Sequence, residues 1–199
     1  MFTQSTHISL LESLARPGEA SDYAAAWTEF QGRYGDLIRR FAMRRGLQPA
    51  DCDDVLQETL MAIGKAMPGF EYDPQRGKFR SYLMTVVANV IFRRLRQNPN
   101  AVALPTDGTN GRVPASDDAM EAIWEDEWRR YHLQQAMRTI DAEFNEADRA
   151  AFTQYALQGH DAAETAQLLN MSIDQVYQAK SRILKRLSAV IEQQVAEEG

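Results

Sequence analysis

Apolar residues along this chain recur at intervals of three and four, with almost no period-two alternation, so the pattern predicts helices and no sheet. Trp27, Phe30, Tyr34, Leu37 and Phe41 mark an amphipathic helix over about residues 21–45, with Gly46 as its stop and Pro49 opening the next. That second helix carries Val55, Leu56, Leu60, Ile63 and Met67 and ends at Pro68-Gly69. Residues 68–78 contain Asp73-Pro74 and Gly77 and read as a loop. A third helix over about residues 79–97 turns Leu83, Val86, Val87, Val90 and Ile91 inward. Residues 21–97 therefore form one small bundle, preceded by an extension, residues 1–20, in which no role is legible.

Residues 98–120 break the helical period. Asn98-Pro99-Asn100, Pro105, Asp107-Gly108, Asn110-Gly111 and Pro114 predict a flexible linker. The period returns with Trp124, Trp128, Tyr131, Met137 and Ile140, and a further helix follows over about residues 145–158, closed by Gly159. The most informative stretch lies beyond it. Asp161 is a good N-cap, with Glu164 three residues on as the partner of a capping box. Ala163, Ala166, Leu168 and Leu169 then give a short helix, Asn170-Met171-Ser172 a tight turn, and Ser172 the cap of a second helix. The apolar stripe of that helix is Ile173, Val176, Ala179, Ile183, Leu184 and Leu187. Two helices across so short a turn suit a helix-turn-helix, whose second helix enters the DNA major groove. The other face offers Asp174, Gln175, Tyr177, Gln178, Lys180, Ser181, Arg182 and Lys185: Gln can read adenine, Arg and Lys guanine, and Lys or Ser can hold phosphates. The fold class is all-α: two small helical bundles joined by a flexible linker, residues 121–199 holding the helix-turn-helix.

Charge sharpens this picture. The chain of 199 residues is acidic overall, with a net charge of −6. Its basic residues nevertheless concentrate at residues 76–96 (Arg76, Lys78, Arg80, Arg93, Arg94, Arg96) and at Lys180, Arg182, Lys185 and Arg186, where no acid intervenes. Between them runs Asp117, Asp118, Glu121, Glu125, Asp126, Glu127. Cys52 is the only cysteine, which excludes an internal disulfide and suits a reducing cytoplasm. No apolar run approaches the length of a membrane span, so no membrane insertion is expected. His7, His132 and His160 are scattered without metal spacing, and no glycine-rich phosphate loop is present, so no enzyme activity, cofactor or metal is expected.

Three stretches, in order, resemble bacterial RNA polymerase sigma factors, above all the extracytoplasmic-function (ECF) class of the sigma-70 family. They are the run from Ala50 to Thr59 (ADCDDVLQET), the run from Lys78 to Leu83 (KFRSYL), and the run from Val176 to Leu187 (VYQAKSRILKRL). The resemblance implies a factor that binds core RNA polymerase and directs promoter recognition, DNA melting and transcription initiation. Asp54, Gln57 and Glu58 would dock on the clamp helices of the polymerase β′ subunit, with further contact to the β subunit. Phe70, Tyr72, Lys78, Phe79, Arg80, Tyr82, Asn89, Arg93 and Arg96 would open and hold the -10 element, rings taking unpaired bases and cations tracking phosphates. Phe79 and Tyr82 fit core positions of the bundle as well. Asp174, Gln175, Tyr177, Gln178, Lys180, Ser181, Arg182 and Lys185 would face the -35 element. An anti-sigma factor is among the partners the resemblance allows. The acidic end of the linker resembles the segment that threads the polymerase channel in related proteins, and a plain flexible joint fits it too. A second reading stays open: a self-sufficient helix-turn-helix regulator whose N-terminal half senses a ligand or dimerises, as such regulators bind pseudo-palindromes in pairs.

Overall fold

The computed structural model describes residues 7–16, 18–68, 79–97 and 117–198, and every regular element among them is helical. They fall into two compact units, one up to Arg129 and one from Arg130 to Ala196.

In the first unit, α1 (His7–Ala15) belongs to the stretch in which the sequence showed no role. Leu10, Leu11 and Leu14 share one face and are buried, so the helix is part of the core. Next come α2 (Ala20–Arg44), α3 (Pro49–Ala66) and α4 (Phe79–Gln97), close to the expected bounds. Gly46 takes a φ of 87° after α2, a left-handed conformation that reverses the chain toward Pro49. The α2 stripe is almost wholly aromatic and organises its neighbours. Trp27 meets Phe30 at 5.7 Å between ring centroids, and Phe30 meets Tyr34 at 4.9 Å. Both Phe30 and Tyr34 receive Phe79 of α4, at 6.2 and 5.5 Å. Each ring buried in this way contributes roughly 1.5–3 kcal/mol, and its edge-to-face contacts about 0.5–1.5 kcal/mol more.

The fifth helix, α5 (Asp117–Glu143), corrects the expected linker, because residues 117–120 are helical. Residues 98–116 lie outside the described residues. Up to Arg129 the helix belongs to the first unit, eight residues past the expected start of the second bundle at 121. Trp124 meets Phe41 edge-on at 5.0 Å, and Trp128 stacks on Tyr34 at 6.2 Å with 11° between planes. The acidic run is therefore tied to arginines of its own unit. Glu127, with a side chain only 1% exposed, accepts from Arg40 Nε at 2.8 Å and from Arg44 Nη1 at 3.1 Å. Asp126 also pairs with Arg44, and Glu125 with Arg80. The hydrogen bonds to Asp126 and then Glu127 hold the Arg44 guanidinium above its ordinary pKa.

In the second unit the end of α5 is followed by α6 (Glu146–Phe152), α7 (Ala162–Leu169) and α8 (Ile173–Glu198). Asn145 caps α6 by accepting from Asp148 N at 2.8 Å. The single helix expected over residues 145–158 changes character at Thr153. Residues Thr153–Leu157 form a π turn, with Gln158 N donating to Thr153 O five residues back at 2.9 Å. Gly159, with a φ of 78°, then redirects the chain. One core cluster joins Ala151, Ala162, Ala166, Val176 and Ala179; another joins Ile140, Phe152 and Ile183. Small side chains in the first let α7 and α8 approach closely, as a helix-turn-helix requires.

The buried carboxylate supplies a stability test. Glu127→Ala removes the acceptor that Arg40 and Arg44 share and should destabilise the chain by about 3 kcal/mol, the low end of the usual range because both arginines also reach water and Arg44 keeps Asp126. Asp126→Ala, at a half-exposed partner, should cost less than about 1 kcal/mol. Urea unfolding of the two variants measures the difference, and equal midpoints would contradict the assignment.

Candidate functional site

Pro49 opens α3 where an N–H would have no partner, and Asp51 in the first turn suits the helix dipole. Asp51, Asp54 and Glu58, at spacings of three and four, line up on one face. There the structure adds a residue for which the sequence reading had no role: Arg94 of α4. Its Nε donates to Asp51 Oδ1 at 3.1 Å, its Nη1 to Glu58 Oε1 at 2.9 Å, and its Nη2 to Asp54. Burial pulls the Arg94 pKa down, but the Asp51 hydrogen bond and the charges of Asp54, Asp51 and Glu58 outweigh it and hold it above its ordinary value. Gln57 is exposed beside this cluster, and Met61, one turn further, is 61% exposed. Arg93 stands 3.8 Å from Glu58, and Arg39 binds Asp53 at 2.6 Å.

The α4 helix divides the proposed -10 residues. Phe79 is 1% exposed and wedged among Phe30 and Tyr34, so it is a core residue and is withdrawn from the base-binding set. Tyr82 is half-buried beside it at 6.1 Å, and desolvation raises its hydroxyl pKa. Tyr82, Asn89, Arg93 and Arg96 fall on one stripe, and the last three are exposed. At 3.6 residues per turn Arg80 lies about 160° around the helix from Tyr82. It pairs with Glu125, so it stands apart from that stripe. Phe70, Tyr72 and Lys78 lie outside the described residues.

The helix-turn-helix is built by caps and one left-handed residue. Asp161 Oδ1 accepts from Glu164 N at 2.7 Å, but Glu164 turns to His160 at 3.1 Å, so the expected box is only half made. Asn170 takes the left-handed conformation, φ 52° and ψ 47°, which Asn tolerates better than branched residues. The complete box lies at α8. Gln175 N donates to Ser172 Oγ at 3.1 Å, and Ser172 N donates to Gln175 Oε1 at 2.7 Å. That engages the oxygen Gln175 would need for bidentate reading of adenine. Val176, Ala179 and Ile183 are fully buried, whereas Ile173 and Leu184, expected in the stripe, are 44% and 42% exposed. They sit at one edge of the helix face, about 60° and 80° around from Val176 at 3.6 residues per turn.

On the outward face Asp174, Gln175, Tyr177, Gln178, Ser181, Arg182 and Lys185 are exposed, and Lys180 is half-buried. Two of the cations are already engaged. Arg182 Nη2 donates to Asp148 Oδ1 at 2.9 Å, while Lys180 Nζ stands 4.8 Å from the centre of the Tyr155 ring. Tyr155 also meets Tyr177 edge-on at 5.5 Å. Tyr155 belongs to the π turn, distant in sequence from α8, so no local spacing could have linked it to the face. Among the described residues no three His, Cys, Asp or Glu are grouped to hold a metal ion, and no helix is long and apolar enough to cross a membrane.

Residues 30–100 match the family model Sigma-70 region 2, covering α2 from Phe30 onward, α3 and α4. The ECF RNA polymerase sigma factor SigE of Mycolicibacterium smegmatis is 28% identical over 124 residues, 61% of this chain; the chain spans only 46% of that relative's length. The ECF RNA polymerase sigma factor SigM of Mycobacterium tuberculosis is 25% identical over 166 residues, 83% of this chain and 77% of that protein. A solved structure described as CnrH in complex with the cytosolic domain of CnrY aligns over 93% of this chain and 96% of that one. Its identity is 22% and its TM-score 0.36, a likeness too low to carry an argument. The region 2 match and the two relatives agree: residues 30–100 match a sigma-70 region 2, and the chain is similar to sigma factors of the ECF class.

Proposed function

We propose that the chain binds core RNA polymerase and directs it to promoters, reading the -10 element with the first unit and the -35 element with the second. The observation that carries this is the coexistence, in one chain, of an exposed carboxylate face on α3 and a capped helix-turn-helix with a polar outer face. Asp54, Gln57 and Glu58 meet a basic helical surface of polymerase. Tyr82, Asn89, Arg93 and Arg96 track the opened -10 strand, Tyr82 supplying a ring and the arginines phosphate contacts. In the second unit Tyr177, Gln178, Ser181 and Lys185 face the duplex, with Gln178 rather than Gln175 free to use both ends of its amide on a base. A self-sufficient regulator would not need the α3 face. Run-off transcription with purified core polymerase, with and without the chain, tests the proposal: promoter-dependent transcripts should appear only with it, and none with it would overturn the reading.

Two sets of variants locate the surfaces. Replacing Asp54, Gln57 and Glu58 together with Ala should weaken the polymerase complex while circular dichroism keeps its helical signal; unchanged affinity would remove the docking face. On the second unit, Lys185→Ala should flatten the salt dependence of promoter binding by about one unit of slope, as for one lost phosphate contact. Gln178→Ala should instead relax base preference by roughly 1–3 kcal/mol if its contact is bidentate. Competition binding against a panel of base substitutions separates the two effects. Identical behaviour of the two variants would show that the face has been misread.

A further inference from the structure

Arg94 lies on α4, the helix proposed to follow DNA, yet its planar fork is turned entirely to α3. All three of its guanidinium nitrogens hold carboxylates, Nε that of Asp51, Nη1 that of Glu58 and Nη2 that of Asp54. Exposure of those acids is graded. The side chain of Asp51 is 24% exposed, that of Glu58 36% and that of Asp54 52%, while Arg94 itself is 23% exposed. Asp51 thus anchors the guanidinium from below, and Asp54 and Glu58 are gripped from the side with part of each carboxylate facing out. Each gives Arg94 one oxygen, Asp54 Oδ2 and Glu58 Oε1; Asp54 Oδ1 is left for an incoming donor, while Glu58 Oε2 stands 3.8 Å from Arg93 Nη1.

We infer that Arg94 is a positioning residue for polymerase docking: it fixes the rotamers of Asp54 and Glu58 before the partner arrives. The inference rests on the docking role proposed for those two acids. A mobile carboxylate must be immobilised on binding, and ordering it beforehand removes that cost. Arg94 also offsets the mutual repulsion of three acids on one helix face, so the face keeps its geometry without its partner. Arginine suits this where lysine would not, because a rigid fork can hold three separate oxygens and an ammonium is a single point. The group is thereby engaged within the protein and is not one of the phosphate-tracking cations of α4.

A thermodynamic cycle on the full chain tests the assignment. Polymerase affinity is measured for the wild type, Arg94→Ala, the pair Asp54→Ala with Glu58→Ala, and all three changes together. Arg94→Ala should weaken binding about tenfold in the wild-type background and less than about twofold when both acids are gone, the signature of a residue acting through others. Arg94→Lys should recover part of the loss and no more. Removing a cation also makes α3 more acidic, which by itself would strengthen attraction to a basic partner. That contribution is screened, with a Debye length of about 8 Å at about 0.15 M salt, so the loss should deepen as salt rises. Helicity and the urea midpoint monitor folding, and should Arg94→Ala fail to fold, the Arg94→Lys arm of the same cycle carries the test. Equal losses in the two backgrounds, no loss, or tighter binding at every salt concentration would overturn the positioning role. If the double acid variant itself binds normally, the docking face has failed instead, and the two failures are told apart.

Discussion

The aromatic stripe of α2 is the constraint on which the first unit depends. Trp27, Phe30, Tyr34 and Phe41 share one face of the helix, with Leu37 on the turn between the last two, and Phe79, Trp124 and Trp128 from two other helices meet them ring to ring. Flat side chains of this size pack in few ways, so the angle at which α4 and α5 approach α2 is set by ring geometry. The orientation of α4 follows from Phe79 at its first residue. With Phe79, Leu83, Val87, Val90 and Ile91 buried, Asn89, Arg93 and Arg96 are left exposed, Tyr82 half-buried, and Arg94 turned to the carboxylates of α3. The polar surfaces of this unit are a consequence of how its rings are stacked.

Charge pairing works within that frame. The approach of α5 brings Glu125, Asp126 and Glu127 against Arg40, Arg44 and Arg80, and Trp124 and Trp128 hold them there. Glu127 lies beneath the surface, where an unpaired carboxylate would be very costly, so two arginines are recruited to it. In the second unit, Asp148 serves twice. Its backbone N–H completes the cap of α6, and its buried carboxylate receives both Asn145 Nδ2 and Arg182. Arg186 likewise grips Glu143 with two nitrogens at 2.6 Å, fastening α8 to the end of α5 and holding the Glu143 carboxyl below its ordinary pKa.

Much of this architecture was legible in the chain. Helical periods located α2, α3 and α4 to within a residue or two, because their stripes are dense and their ends carry Gly46, Pro49 and Pro68. Asn170 and Ser172 marked the helix-turn-helix, since few residues tolerate a left-handed helix end and few cap the next helix. What was not legible depended on partners far along the chain. The face of Leu10, Leu11 and Leu14 spans barely two turns, too short a pattern to separate from a loop. Proline and glycine set the end of the linker by composition, but the start of α5 at Asp117 answers to where Trp124 can be buried. The π turn at Thr153 has no sequence signature, as its extra residue is accommodated by packing against α8.

The largest gap between sequence and structure concerns which cations are available to a ligand. In the sequence Arg80, Arg93, Arg94 and Arg96 form one basic run, and Lys180, Arg182, Lys185 and Arg186 another. Folding sorts each run by helix face. Arg80, Arg94, Arg182 and Arg186 turn to carboxylates of neighbouring helices, and Lys180 to a tyrosine ring. Arg96 and Lys185 stay exposed, with Arg93 only loosely associated with Glu58. A chain with net charge −6 can still present positive stripes because many of the acids among the described residues, Asp51, Asp54, Glu125, Glu127, Glu143 and Asp148 included, are matched to arginines of neighbouring helices. These helices are thus two-sided in charge as well as in hydropathy: one flank of arginines holds the fold, and a narrower flank stays exposed. Counting basic residues along the sequence adds the two flanks together; the packing of α4 against α3 and the start of α5, and of α8 against the end of α5 and α6, separates them.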